Sequence, residues 1–255
     1  MASDLVARGA TVIDLSSAHR ARSDVPLVVA GWRPPENLPL AALLSVPDAP
    51  TVLLYLPLRV LGALSAPKRV IATVLLSASA FGHEGIQDLG GETVALLNLS
   101  ESDTENRRPL AFSCIPEDLS EAGEGTRRVA DETIRDLRRL LGLDIPLTIT
   151  VVRTPTFHGH GVSVSVEAEE PVTLDAVRGA LRESPSILLD ESAAPPTSTR
   201  EVAGRDGIQM GAIRVDSHDQ RWIHFWATAD NLRQGAGLNA VAVAEAILRW
   251  RSLNS

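Results

Sequence analysis

Apolar and polar positions alternate along this chain with two different periods, and the periods divide it into strands and helices. The β-branched run Thr11-Val12-Ile13-Asp14-Leu15 predicts a short strand, and Pro26-Leu27-Val28-Val29-Ala30 a second. Pro34, Pro35 and Pro39 make 31–39 a loop. The apolar segment 52–64 follows a Pro-Asp-Ala-Pro break. Asp48 is placed to cap a helix there, with Pro50 in the first turn, where proline is tolerated. Segment 69–76 is apolar almost throughout, which predicts a strand covered on both faces. A helix is expected over 82–97 and an exposed polar loop over 101–108.

The clearest amphipathic helix is 126–141. Ala130, Thr133, Ile134, Leu137, Leu140 and Leu141 recur at helical spacing, and the opposite face pairs Asp131 with Arg135 and Asp136 with Arg139, as on a solvated face. A strand is expected over 146–153. Val162-Ser163-Val164-Ser165-Val166 alternates strictly, the mark of a half-buried strand. Thr173 caps a helix over 173–183. Strands are expected over 211–215 and 222–227, the latter with Trp222, His224 and Trp226 on one face. The last helix covers 235–250. Interspersed strands and helices that give way to neighbouring strands predict a fold passing from α/β to α+β.

Composition narrows the function. The 255 residues are 44% hydrophobic and 22% charged, as in globular proteins, and the net charge of −8 argues against nucleic acid or an anionic membrane as partner. The longest apolar run, 51–64, is interrupted by Pro57 and Arg59 and falls short of a membrane span. The first residues show no basic start with an apolar core, so a cytoplasmic protein is expected. The single cysteine, Cys114, excludes an internal disulfide and a multi-cysteine zinc site. Lys68 is the one lysine available for Schiff-base chemistry, and nothing around it suggests a site.

Candidate chemistry concentrates in Arg153-Thr154-Pro155-Thr156-Phe157-His158-Gly159-His160, where a chain bend offers a guanidinium for a carboxylate and an imidazole for proton transfer. On a strand, His158 and His160 would share a face, which is metal-ligand spacing; turn histidines are the plainer reading, and no metal is expected. Cys114 lies among apolar neighbours with no cation adjoining it and reads as packed and inert. Gly235-Ala236-Gly237 opens a helix that could receive an anion or simply pack closely.

Several stretches together resemble aspartate-semialdehyde dehydrogenase. Val12-Ile13-Asp14-Leu15-Ser16-Ser17-Ala18-His19-Arg20 resembles that family's "VID-SSAFR". The Arg153 to His160 stretch resembles its "RVPVFRGH". Asp230-Asn231-Leu232-Arg233-Gln234-Gly235-Ala236-Gly237-Leu238-Asn239-Ala240-Val241 resembles its "DNLRKGAALNAV". The resemblance implies a Rossmann-like lobe, here truncated, over 1–50 and completed by 235–255. It also implies a glyceraldehyde-3-phosphate-dehydrogenase-like mixed-sheet catalytic and dimerisation domain over 51–234. It further implies a homodimer and NADP-dependent reductive dephosphorylation of aspartyl phosphate in amino-acid biosynthesis.

Residue by residue, the resemblance makes Arg153 the carboxylate-binding arginine, His160 the acid/base histidine and Arg20 a phosphate contact. Arg128 stands for a substrate-facing lysine, and Gly235 and Asn239 for cofactor-binding positions. Four departures accompany these matches. Ala49 stands at the place of the nucleophilic cysteine, and a methyl group cannot form a thioester. Leu76 stands for a site glutamine, and Gly125 for a glutamate. The glycine-rich nucleotide loop has no counterpart in these residues, so no cofactor is expected for this chain although the family uses NADP. The pattern resembles the cysteine-less bacterial paralogues of the dehydrogenase. It leads to the expectation of an inactive homodimer with a small-carboxylate pocket, the alternative being an active NADP-dependent dehydrogenase.

Overall fold

The computed structural model describes residues 1–29, 31, 39, 41–99, 108–117, 128–190 and 197–254. Helix α1 (Ala2–Ala7) leads into β1 (Val12–Asp14), which pairs in parallel with β2 (Leu43–Ser45). The predicted strand at 26–30 does not form. Leu27 makes a single bridge to Ser45, Pro26 has no N–H to give a ladder, and Ala30 lies outside the described residues. Val28, Ala42, Leu44 and Val46 bury their side chains with Val243 and Ile247 of the last helix, α6 (Leu238–Asn254), in a core of their own.

Helix α2 (Ala49–Leu64) begins where the sequence places it. Asp48 accepts hydrogen bonds from Thr51 N at 3.3 Å and Thr51 Oγ1 at 2.9 Å, and Pro50 occupies the first turn. Leu53, Leu54, Leu58 and Leu61 are buried, because α2 runs through the centre of the main core.

That core lies on one face of a seven-stranded mixed sheet, in the order β4-β5-β3-β6-β9-β8-β7. The strands are β3 (Pro67–Leu76), β4 (Ile115–Pro116), β5 (Leu147–Arg153), β6 (His160–Ala168), β7 (Ile187–Leu189), β8 (Ile208–Val215) and β9 (Trp222–Ala229). A 3-10 turn (Ala78–Phe81) and α3 (Gly82–Leu97) follow β3, α4 (Val129–Leu141) precedes β5, and α5 (Leu174–Arg182) follows β6. Thr173 caps α5 by accepting from Ala176 N at 3.2 Å, as the sequence predicts. The helix expected from 126 begins at Val129; residues 126 and 127 lie outside the described set.

Strand β3 pairs in parallel with β5 and antiparallel with β6. Its inward side chains Val70, Ala72, Val74 and Leu76 are buried, whereas Ile71 is 43% exposed. The expectation of cover on both faces is therefore wrong for this chain by itself: one face is open. That face carries Ile71 and Thr73 of β3, Ser163 and Ser165 of β6, and Trp222, His224 and Trp226 of β9. Trp222 and His224 stack with ring centroids 6.3 Å apart, and His224 Nδ1 is 2.8 Å from Ser165 Oγ. The shared face predicted for these three aromatic side chains is thus present.

A second correction concerns the charged face of α4. It is a docking face. Asp136 is fully buried, and Arg139 donates to the carbonyls of Arg20 and Val25. A polar face pairs as well with another segment's backbone as with water, and charge patterning does not distinguish the two.

Candidate active site

The ends of four strands meet at one end of the sheet. Leu76 closes β3 beside Arg153, which closes β5; His160 opens β6 opposite Ala229, which closes β9. The N-terminus of α2 and the π-helical turn Asn231–Gly237 complete the site. Ala49, Val52, Leu53, His160, Asn231 and Gly235 are among the residues around a cavity of about 10 Å³ there, enough for about one water.

His160 is 2% exposed. Its Nδ1 accepts from the backbone N–H of Ser77 at 3.2 Å, which places the ring proton on Nε2 in the neutral form. Ser77 Oγ lies 3.1 Å from the same nitrogen. Asn231 Oδ1 ties this arrangement together: it accepts from Gly159 N at 3.0 Å, Ser79 Oγ at 3.1 Å and Ser77 Oγ at 3.3 Å. Asp230 caps the π-helical turn through Leu232 N and Arg233 N. Ser77, Ser79 and Asn231 were missed by the sequence reading. The signal open to it was the spacing Ser77-Ala78-Ser79 directly after a buried strand.

Burial drives the His160 pKa down to about 4, against smaller upward pulls from Asp48, the Gly159 backbone and Asp230. The ring is neutral at pH 7 and can donate a hydrogen bond from Nε2. The linkage has a definite sign. The unfolded chain protonates this histidine below its ordinary 6.5, and the folded chain resists until about 4. Stability due to His160 is complete above about pH 6.5 and is lost as pH falls toward 4, by up to about 3 kcal/mol. Urea unfolding at pH 7 and pH 4.5 should show that loss, and His160→Gln should flatten it. An unchanged pH slope in His160→Gln would assign the loss to other groups.

His158 and His160 do not share a strand face. His160 begins β6, while His158 lies in the turn before it, and Gly159 takes φ +87° between them. A Cβ on Gly159 would also press to 3.0 Å on Val202, so the turn depends on glycine. Among the described residues no group of three or more histidine, cysteine, aspartate or glutamate side chains could hold a metal ion. Cys114 is exposed, contrary to the packed cysteine expected from its neighbours. Buried Glu92 of α3 accepts from Leu110 N at 2.7 Å and Ala111 N at 3.0 Å and draws those two residues inward. Phe112, at φ 58°, then turns the chain back toward solvent.

Arg153 has its guanidinium 4.3 Å from the centroid of the Phe81 ring. Arg20 is buried and engaged by Asp48 at 3.3 Å, Asp136 at 3.5 Å and Glu132 at 3.8 Å, so the described residues give it internal anions in place of a free face. Arg128 is partly exposed and 3.7 Å from Asp131. Gly125 lies outside the described residues. Asn239 is buried in the first turn of α6.

Gly235 packs flush on the start of α2: a Cβ there would stand 2.6 Å from Ala49 Cα. Among the described residues, β9 passes into α6 through the π-helical turn Asn231–Gly237, but Gly235 in that turn is packed against Ala49, so the turn is not the open glycine-rich cradle that holds a dinucleotide pyrophosphate. These residues do not fit NADP by themselves, and no step through it is derived.

The fold, with the side chains gathered at the sheet's end, defines a class, the mixed-sheet α/β dimerisation domain of glyceraldehyde-3-phosphate-dehydrogenase-like build. Within that class, the model of the semialdehyde dehydrogenase dimerisation domain matches residues 58–234. Aspartate-semialdehyde dehydrogenase 2 of Vibrio cholerae is 31% identical over 250 residues, 94% of this chain and 73% of that protein. A USG-1 protein homolog of Pseudomonas aeruginosa is 31% identical over 248 residues, 95% of this chain and 73% of that protein. The crystal structure of aspartate semialdehyde dehydrogenase II from Vibrio cholerae superposes with a TM-score of 0.86 at 30% identity, covering 97% of this chain and 75% of that one. The Candida albicans enzyme, solved with NADP, shares the fold at 17% identity and a TM-score of 0.72. The chain belongs to the aspartate-semialdehyde dehydrogenase family. Among the described residues no helix is long and apolar enough to cross a membrane.

Proposed function

We propose that this chain is a homodimeric, cytoplasmic member of the family that binds a small carboxylate at Arg153 and does not form the thioester on which the family's reduction depends. The observation that carries the reading is Ala49. It opens α2 beside the same small cavity as His160, where the resemblance calls for a cysteine, and its methyl group has no lone pair to attack an acyl carbon. Leu76, buried at the end of β3, likewise offers no polar group. What supports the carboxylate is a guanidinium at the end of β5, on the other side of β3 from the neutral His160 that opens β6. In this reading 1–50 and 235–255 belong to a nucleotide-lobe-like unit, and 51–234 form the dimerisation domain.

The open sheet face supports the homodimer. An apolar and hydroxyl-bearing face crossed by two tryptophans is stabilised by a self-complementary second copy. Light scattering at micromolar concentration should give a dimer, and Trp226→Arg should give a monomer. A parent chain that is monomeric there would overturn this part. For the ligand, calorimetric titration with succinate should show binding to the parent and none to Arg153→Ala; equal binding by both would remove Arg153 from the site.

A second reading, an active NADP-dependent aspartate-semialdehyde dehydrogenase, draws on the relatives of that name. It needs a nucleophile other than Ala49, and exposed Cys114 is the one thiol in the sequence. Turnover that disappears in Cys114→Ser would favour it.

A further inference from the structure

One group near the site remains unexplained by packing. Arg153 Nε is buried and meets no acceptor, and among the described residues no carboxylate lies within ion-pair distance of Arg153. A buried donor without a partner is destabilising unless something else compensates. The compensating contact is aromatic: the guanidinium lies over Phe81, Cζ 4.3 Å from the ring centroid.

Phe81 is itself fixed from two sides. The 3-10 turn that carries it is bonded to the segment after β5, through Ala78 N to Thr156 O at 2.8 Å and Ser79 N to Phe157 O at 3.0 Å. On the other side, Gly85 of α3 comes so near that a Cβ there would stand 2.8 Å from Phe81 Cβ. The ring edge that remains is open to solvent, with Phe81 44% exposed.

A guanidinium has two faces and an edge of N–H donors. Phe81 takes one face, which fixes the plane and leaves the edge as the binding element. An edge of parallel donors matches a planar carboxylate with two oxygens, and the unpartnered Nε–H is one of those donors. We infer that Phe81 is the positioning residue of the Arg153 site. It holds the guanidinium so that a monocarboxylate is taken edge-on through Nε–H, with the exposed ring as an apolar wall beside the ligand's carbon stem. This rests on the carboxylate reading given under Proposed function and adds to it the residue that sets the geometry and the preference for an apolar stem.

The test uses butyrate as probe, calorimetry for affinity and the NMR signal of the Arg153 Nε–H for geometry. In the parent chain, that signal should be sharp and slow to exchange, and it should shift on addition of butyrate. Phe81→Ala should weaken butyrate binding about tenfold and broaden the free signal, while Phe81→Tyr should retain both. Phe81→Leu keeps apolar bulk without the ring electrons and should behave like Phe81→Ala. Butyrate binding that is equal in parent, Phe81→Leu and Phe81→Ala, with the Nε–H still shifting, would overturn the role of Phe81 and leave the carboxylate site standing. No shift and no binding in the parent would overturn the carboxylate site, and the role of Phe81 with it.

Discussion

Challenged with an acyl phosphate, the chain should acquire no acyl group at the start of α2, and family turnover should be absent. Covalent catalysis is lost outright when the nucleophile is removed, with rate losses commonly on the order of 10⁴–10⁶. Ala49 is placed by a capped helix start and a flush contact with Gly235, so no side chain nearby can be swung into its place without moving α2. Intact-mass spectrometry after exposure to acetyl phosphate makes the measurement, in a Cys114→Ser background because that exposed thiol would label. The parent should remain unmodified at the start of α2. Ala49→Cys should gain one acetyl group, yet should not regain turnover by itself, since Leu76 supplies no polar contact at the end of β3. Acyl transfer to the start of α2 of the parent chain in that background, located by peptide mapping, would remove the basis for the inactive reading.

Arg20→Ala should cost about 3–5 kcal/mol of folding free energy, the loss typical of breaking a buried ion cluster from one side. Arg20 is 2% exposed, and Asp136 beside it is fully buried. Burial already raises the Asp136 pKa, against the pull of Arg135 and Arg20. Without Arg20, that carboxyl and Asp48 would face each other with less compensation. Chemical denaturation of Arg20→Ala against the parent measures the loss. The double variant Arg20→Met with Asp136→Leu should recover most of it, because an apolar pair of similar volume needs no desolvation of charge. A single variant as stable as the parent would show that the cluster contributes little.

The same cluster shows where sequence reasoning succeeds and where it stops. Asp48 was legible as a cap because its partner, Thr51, is local, and the alternation of 162–168 was legible because burial in a strand has period two. Asp136 was not legible: its partner, Arg20, is distant in sequence, and on α4 it reads as one more solvated charge. Strands β2 and β7 are three residues each, too short for any period to register. At the site, Arg153 and His160 stood out by chemistry, whereas Ser77, Asn231 and Phe81 are ordinary turn or apolar residues until the fold brings them together. The resemblance to a family located Ala49; no pattern of its own would have drawn attention to an alanine.

The double pairing of β3 has a kinetic side. Val70 must find Leu147 on one edge and Val166 on the other, both supplied by chain made long after it. Each pairing closes a long loop before any ladder energy is returned, and such non-local contacts slow folding. On a ribosome, β3 and the apolar α2 would therefore emerge together and wait for β5 and β6. Segment 52–76 is where a holding chaperone would find its hydrophobic stretch. The pair β8–β9, joined by a short connection, can close without waiting for the rest.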